Sequence, residues 1–515
     1  MIIAAHRDTL TSPLRCEWTP LSYFQTLVQE CIDAGGRLGV LSVRREPDGT
    51  PQAYRLMALL LQPDAGTAQL LETTLPWNAA SYPSLTPVVP QAHWFERAIH
   101  DFFGISPQGH PHPKSLLLHE AWPDGYLPQR EPEPPSLDRE APRRSYEFLQ
   151  VEGEGVYEVP VGPIHAGIIE PGHFRFSCLG EVIHNLEIRL GCVHRGVEQT
   201  LTRVPWQKAR FVAEAASSDT AVGNALAHAL AIEQILGIQA PPRAQWLRGI
   251  ALEIERAASH IGDLAGISGD IGFSGPAGIF AHLRGAALGL QERLTGSRLG
   301  TAYVTPGGVV RPLSSTDIQE VKGCVEWLAA EIGSAVPLLM DNSGAIERME
   351  STGRVRHAVA RSFGLVGPAG RASGLDYDVR QSFPLAPYTS TEWMVASGTT
   401  GDVLARAQVR VHEIAVSLQL LKSFLDNMPE GPHQATTLPS NLPALCVGVG
   451  IVEAWRGELI HLAFTGEDGR ISRYCIKDPS FNNWTGLSVA VRGEVLADFP
   501  LCNKSFGLSY SGNDL

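Results

Sequence analysis

The sequence predicts an α+β protein, a small N-terminal α+β domain followed by a larger domain that joins a β-hairpin region to a central helical bundle. Three observations carry this expectation. A run dense in proline and charge extends from Asp124 to Arg144, and proline lacks the amide donor that helices and central strands need, so the run reads as a surface linker. Before it stand short apolar runs of strand length; after it stand long alanine-rich stretches without proline. The expected division is a domain at 1–123, a linker at 124–145 and a second domain at 146–515.

In chain order, 22–34 reads as a helix, and 37–44 and 54–61, rich in Leu, Val and Met, read as strands. Beyond the linker, 174–178 and 186–190 alternate apolar and polar residues around Leu179, Gly180 and Glu181, which predicts a β-hairpin. From 207 to 236 the chain is alanine-rich, and only Gly223 interrupts it, so one long buried helix is expected. Further helices are expected at 243–264, 315–339 and 401–425. Strands are expected again at 445–452 and 487–492, between Gly and Asp turns.

The 515 residues carry 54 acidic and 41 basic side chains, a formal charge of −13, which offers no basic field to a phosphate backbone and excludes nucleic acid as the expected partner. No apolar run approaches the roughly 18 residues of a spanning helix, and Met1–Ala5 leads into His6, Arg7 and Asp8 rather than a signal core. Any membrane association is therefore expected to run through partners. The eight cysteines form no CxxC or CxxH pair, so clustered-thiolate metal sites are disfavoured and the thiols read as small buried residues.

Specific motifs then appear. The stretch from His93 to His112 contains Glu96, Arg97, Asp101, Phe103, Gly104 and Ile105 before the turn Gly109-His110-Pro111. It resembles the signature of the C subunit of complex I. There the element serves docking, so His110 and His112 are expected at a surface or interface. Beyond the linker, the stretch from Gly162 to Phe176 and the run His194-Arg195-Gly196-Val197-Glu198 resemble the D subunit of complex I and the large subunits of group 4, energy-converting hydrogenases. The same resemblance continues through Glu253 to His260, Pro306 to Val309, Arg371 to Gly374, Gly401-Asp402, Val409 to Glu413 and Asp478 to Trp484. A fused C-plus-D chain is also the layout of formate-hydrogenlyase-type large subunits. The resemblance implies a hydrogenase-large-subunit-like second domain.

One departure decides the chemistry. Nickel-iron hydrogenases hold their metals with two Cys-x-x-Cys pairs, because soft thiolates suit these metals. The matching positions here are Ser217 and Thr220, then Ser509 and Gly512. Hydroxyls stay protonated and are hard, weak ligands, and glycine has no side chain, so no metal is expected on this chain. Cys502 is unpaired and reads as a buried structural thiol.

Complex I places a quinone headgroup in the vacated cavity, with a histidine and a tyrosine as partners. The matching positions are His173 and Ser218, so quinone is the implied cavity ligand with half of its usual pair missing. Ser217, Thr220, Asn224 and His228 fall at three- and four-residue steps and would share one helical face, either as a satisfied polar seam or as a remodelled ligand or proton-relay pocket. Glu253, Arg256, His260 and Asp263 are spaced likewise, as a proton-bearing path toward a membrane arm or as a structural ion-pair ladder.

Taken together, the resemblance implies a subunit of a membrane-associated, ion-translocating redox complex. Its implied partners are an iron-sulfur small subunit like the B subunit of complex I, which would carry the Fe-S clusters, and antiporter-like membrane subunits. The implied location is peripheral, on the cytoplasmic face of the membrane. The alternative is a non-catalytic scaffold in such a complex.

Overall fold

The computed structural model describes residues 14, 16–46, 53–120, 122–123, 125–130, 146–165 and 169–515. Most of the expected linker, 131–145, lies outside the described residues.

The N-terminal part is a four-stranded sheet flanked by helices. Strand β1 (Cys16–Trp18) precedes α1 (Leu21–Asp33), and β2 (Arg37–Arg45), β3 (Ala53–Gln62) and β4 (Thr67–Pro76) follow in the order β1-β4-β3-β2. Helix α2 (His93–Phe103) carries the first signature, and its polar residues tie down loops. The Glu96 carboxylate accepts from Ser84 Oγ and from the Leu85 and Thr86 amides, and Asp101 Oδ2 accepts from three successive amides, Leu116 to Leu118. Buried carboxylates of this kind replace lost water with backbone donors. Of the two histidines expected at a surface or interface, His112 is half-buried and His110 is buried at 6% exposure, stacked on His93 at 5.1 Å with Nε2 3.1 Å from the His93 carbonyl.

The large part opens with a three-stranded antiparallel sheet, β5 (Val156–Val161), β6 (His173–Leu179) and β7 (Val182–Arg189). The hairpin turns at Gly180 and Glu181, as its alternation predicts. Helices α3 (Val197–Arg203), α4 (Trp206–Glu214), α5 (Ala221–Leu236), α6 (Pro242–Asp270), α7 (Ser274–Thr295) and α8 (Ser315–Met340) follow. After short helical segments between 343 and 389 come α9 (Val403–Asn427), a sheet of β8 (Val447–Ala454), β9 (Gly457–Thr465) and β10 (Ile471–Lys477), then α10 (Ser480–Ala490) and α11 (Phe499–Phe506).

The single helix expected at 207–236 is two helices. Between α4 and α5, Ser217 is extended, with φ −147° and ψ 112°, and a short 3-10 turn spans Ser218–Thr220. Tertiary partners take the backbone groups that a continuous helix would use. Arg195 donates to the Ala215 and Ala216 carbonyls, Trp455 Nε1 donates to the Asp219 carbonyl, and Glu255 accepts from the Val222 and Gly223 amides. The strand expected at 487–492 is instead the end of α10, where Trp484, Leu487 and Val491 share the buried side of a helical repeat. By length and composition α8 is apolar enough to cross a membrane, contrary to the expectation of no such run, although it packs on α7 and α9.

The C-terminal sheet is shared between two cores. Val447, Val449, Ile451, Ile460, Leu462 and Phe464 join the core of the N-terminal part, while Val452, Ala454, Leu459 and Ala463 join that of the helical part. On the helical side α5 lies directly on β8. A Cβ at Gly448 or Gly450 would stand 2.0 or 1.9 Å from the Ala231 or Ala227 carbonyl oxygen, so this approach requires glycine.

Candidate functional site

The two ends of the large part meet where the sequence places its altered metal positions. Ser217 Oγ lies 3.1 Å from Ser509 Oγ, and both side chains are buried. Ser217 also donates to Asp219 Oδ1 at 2.8 Å. Arg456 grips that carboxylate with two bonds of 2.7 and 2.6 Å and donates to Thr220 Oγ1 at 3.1 Å. Burial works against the charged form of Asp219, and the Arg456 guanidinium outweighs it, holding the carboxyl down at about 2. Opposite, Asp478 is buried beside Gly512, and a Cβ added at Gly512 would stand 2.5 Å from Asp478 Oδ2 and 2.9 Å from Ser509 Oγ. The tail is held in place from the hairpin side as well, since Glu170 Oε2 accepts from the Tyr510 and Ser511 amides at 3.1 Å.

These residues do not fit a nickel-iron centre. Three hydroxyls committed to one another, to Asp219 and to Arg456 replace three thiolates, and the fourth position points into a carboxylate. Soft metals have no soft donor here. Among the described residues no three His, Cys, Asp or Glu side chains are grouped so as to hold a metal ion. Cys502 is buried and its thiol is pushed up to about 12 by burial.

The other expected site residues divide. His173 opens β6, and alternation turns it away from Phe174, whose ring meets Trp484, Phe499 and Tyr510. His173 instead meets Phe148 at 5.3 Å, the Gly162 carbonyl at 3.3 Å and Arg175. It makes no hydrogen bond or ring contact with Ser217, Ser218, Thr220 or Ser509 among the described residues. Ser218 itself is exposed.

Asn224 and His228 leave the cluster and join a buried chain that sequence reasoning missed in part. His228 Nδ1 and His461 Nδ1 lie 2.8 and 2.9 Å from the Tyr474 hydroxyl, His461 Nε2 lies 3.0 Å from Asn224 Oδ1, and Asn224 Nδ2 donates to the Thr220 carbonyl at 2.9 Å. Burial holds both imidazoles below their usual range, His228 at about 3. With neutral rings the donors run one way: His228 to Tyr474, Tyr474 to His461, His461 to Asn224, Asn224 to the backbone. His461 and Tyr474 sit on β9 and β10, which the sequence reading left unassigned.

The ladder expected along α6 closes mainly across helices. Only Glu253 and Arg256 pair within it, at 3.2 Å. His260 Nε2 lies 2.9 Å from Glu413 Oε2 on α9, and Asp263 pairs with Arg410, also on α9, at 2.8 Å. Glu253 further binds Arg380, Ser417 and Tyr388. Arg371 pairs with Glu413 and Glu453. Burial opposes the Glu413 charge, but Arg371, then His260 and Arg256, hold its carboxyl well below the usual range. Four carboxylates, Glu253, Asp378, Glu413 and Glu453, face three guanidiniums, Arg256, Arg371 and Arg380, so one acid is left uncompensated. It is Glu453, raised to about 7 by burial and by Asp378. A separate cavity of about 370 Å³, walled by residues such as Leu226, Leu230, Phe383 and Val449, includes none of the site residues expected from sequence.

The broken helix and the returning C-terminal tail, meeting at one buried hydroxyl cluster, are those of a hydrogenase-type large subunit. The chain belongs to the family of group 4 hydrogenase and complex I-like large subunits. Residues 270–446 match the family described as "Respiratory-chain NADH dehydrogenase, 49 Kd subunit", and 24–137 match its "30 Kd subunit". The chain is 33% identical over 445 residues to formate hydrogenlyase subunit 5 of Escherichia coli (strain K12), covering 85% of this chain and 77% of that one. It is 30% identical over 374 residues to the C/D subunit of the NADH-quinone oxidoreductase of Phocaeicola vulgatus, covering 69% and 72%. Among solved structures it resembles a chain of an archaeal respiratory membrane complex, the membrane-bound sulfane sulfur reductase, with a TM-score of 0.66, 27% identity and coverage of 70% of this chain and 99% of that one.

Proposed function

We propose that this chain is the hydrogenase-like large subunit of a membrane respiratory complex, that it carries no nickel-iron centre, and that its rebuilt cavity passes electrons from a partner iron-sulfur subunit to a polar acceptor such as quinone, coupled to ion movement. In this reading residues 1–123 form the docking domain and 146–515 the redox domain, mounted peripherally on antiporter-like membrane subunits at the cytoplasmic face. The observation that carries it is the Ser217–Ser509 contact. The two chain ends that deliver thiolates in hydrogenases still converge here, but as hydroxyls beside the Asp219–Arg456 pair. Such a site donates and accepts hydrogen bonds and cannot bind hydride on a soft metal. The buried α6–α9 ion network, with Glu453 titrating near neutral pH, is the element through which charge in the cavity would be felt at a distance.

The test is to purify the native complex, reduce its iron-sulfur clusters, and add quinones and other small acceptors while following the cluster spectrum. Reoxidation by an acceptor, lost in Arg456→Ala, supports the reading. A second reading, a scaffold subunit, is favoured by one observation: Ser217, Thr220, Asp219 and Arg456 already satisfy one another. Clusters that no acceptor reoxidises would select it.

A further inference from the structure

The cavity of about 370 Å³ noted above lies between the 63–66 turn of the N-terminal part, the second half of α5 and the 381–389 segment of the large part. Folded interiors hold few voids larger than a water, and a space of this size at the junction of two parts falls in the range that takes an organic molecule, about 300–1,000 Å³. It is not a loose joint, because the chain closes tightly at its rim: a Cβ at Gly66, where φ is +61°, would stand 2.9 Å from the Ser382 carbonyl oxygen. Burial gives the cavity a direction. Asp64 and Ala65 on the turn and Thr389 opposite are exposed and form a mouth, whereas Leu226, Phe383, Val449 and Ile451 are buried and form an apolar floor.

Charge then narrows the ligand. Of the charged side chains on the wall, Glu233 and Arg248 neutralise each other through bonds of 2.5 and 3.2 Å. Arg248 also donates to the Thr305 and Gly308 carbonyls, and Glu233 accepts from the Gly307 amide at 2.6 Å. Inside the cavity no charge is left over, so an ion entering it would lose its hydration without gaining a partner. At the mouth the exposed Asp64 opposes an anion further.

Two oxygens on the wall remain open to a ligand. Gln245 Nε2 donates to the Ala240 carbonyl at 2.8 Å, but its Oε1 takes no donor among the described residues, and the Ser382 hydroxyl has no partner among them either. Both side chains are half-buried and neither oxygen is sealed from solvent. Each can accept a hydrogen bond from a hydroxyl. We propose that this cavity binds a neutral, mainly apolar molecule that carries a hydroxyl group, such as a phenol, with its ring against the Leu226, Phe383 and Val449 floor and its hydroxyl donated to Gln245 or Ser382. The site includes no residue of the Ser217–Ser509 cluster and does not rest on the function proposed above.

Titration calorimetry on the full-length protein, in whatever complex it purifies with, tests this with two probes of similar size. Thymol, a neutral phenol, should bind saturably with a Kd below about 1 mM and a negative heat-capacity change, the mark of apolar burial. Cuminate, which replaces the hydroxyl by a carboxylate, should bind at least about tenfold more weakly. Leu230→Trp, at a half-buried position on the wall, fills the space from α5. Ala65→Trp covers the mouth from an exposed turn, leaves the core untouched and serves where Leu230→Trp fails to fold. Each variant that folds should weaken thymol at least about tenfold, which places the binding in this cavity rather than elsewhere in the complex. No saturable binding of thymol, cuminate bound as tightly as thymol, or a folded variant that weakens thymol by less than that factor overturns the proposal.

Discussion

Ser217 Oγ stands 3.1 Å from Ser509 Oγ across 292 residues of chain. The contact joins the C-terminal tail to the large part, together with Glu170 on the Tyr510 and Ser511 amides and Val193 on Asp514, and it is made by the residue at the α4–α5 break. A double-mutant cycle on Ser217→Ala and Ser509→Ala, read by chemical denaturation, should give a coupling of about 1 kcal/mol. Strict additivity would mean that the two hydroxyls do not meet in solution.

Elemental analysis of the purified native chain should find no stoichiometric nickel, because the four positions offer hydroxyls, a missing side chain and the Asp478 carboxylate. One nickel per chain would require a ligand set other than this cluster.

Glu413→Gln should be among the most damaging isosteric changes in the bundle. It leaves the guanidiniums of Arg371 and Arg256 without a carboxylate that both now reach, beside His260. Removing one partner from a buried ion network costs about 3–5 kcal/mol, and denaturant titration should show a loss of that order. A change below about 1 kcal/mol would place the network in solvent.

Glu255 predicts a pH dependence. Burial pushes its carboxyl up to about 8 even though its oxygens accept from two amides at the start of α5. The unfolded chain releases this proton near the ordinary carboxylate value and the folded chain keeps it up to about 8. Between the two the folded state binds more protons, so this group's contribution to stability falls as pH rises. Glu255→Gln should flatten that part of the stability profile between pH 5 and pH 8, measured by thermal unfolding; an unchanged slope would assign it to other groups.

His173→Ala should leave assembly intact and change acceptor-driven cluster reoxidation by less than about twofold, since the ring packs on Phe148 and the Gly162 carbonyl rather than on the hydroxyl cluster. Loss of turnover would mean that the 162–173 loop rearranges when the acceptor binds.

The convergence of residues 217–220 and 509–512 was implied by the resemblance to hydrogenase large subunits, while the hairpin and most helices were legible from alternation and composition. The break at Ser217 was not, because alanine-rich sequence gives no local stop signal. The interruption is imposed by Arg195, Trp455 and Glu255, which lie 20 or more residues away. Strands β9 and β10 escaped for a different reason. All their residues but Ser472 are buried, on both faces, so the polar alternation that marks a half-exposed strand is absent. The partners of His260 and Asp263 were hidden likewise, since a spacing of three or four fits a ladder on one helix equally well when the true partners stand on another.

Strands β8 to β10 present alternate side chains to the cores on either side, and this bears on how such proteins divide their genes. A chain cut in the proline-rich run would yield two pieces, each with an open apolar wall that only the other can cover. A covalent link between such pieces raises the local concentration of each wall for the other. Expressed as two polypeptides, the halves should find each other and co-purify, and a mutation such as Ile460→Asp would be felt as a failure of that union.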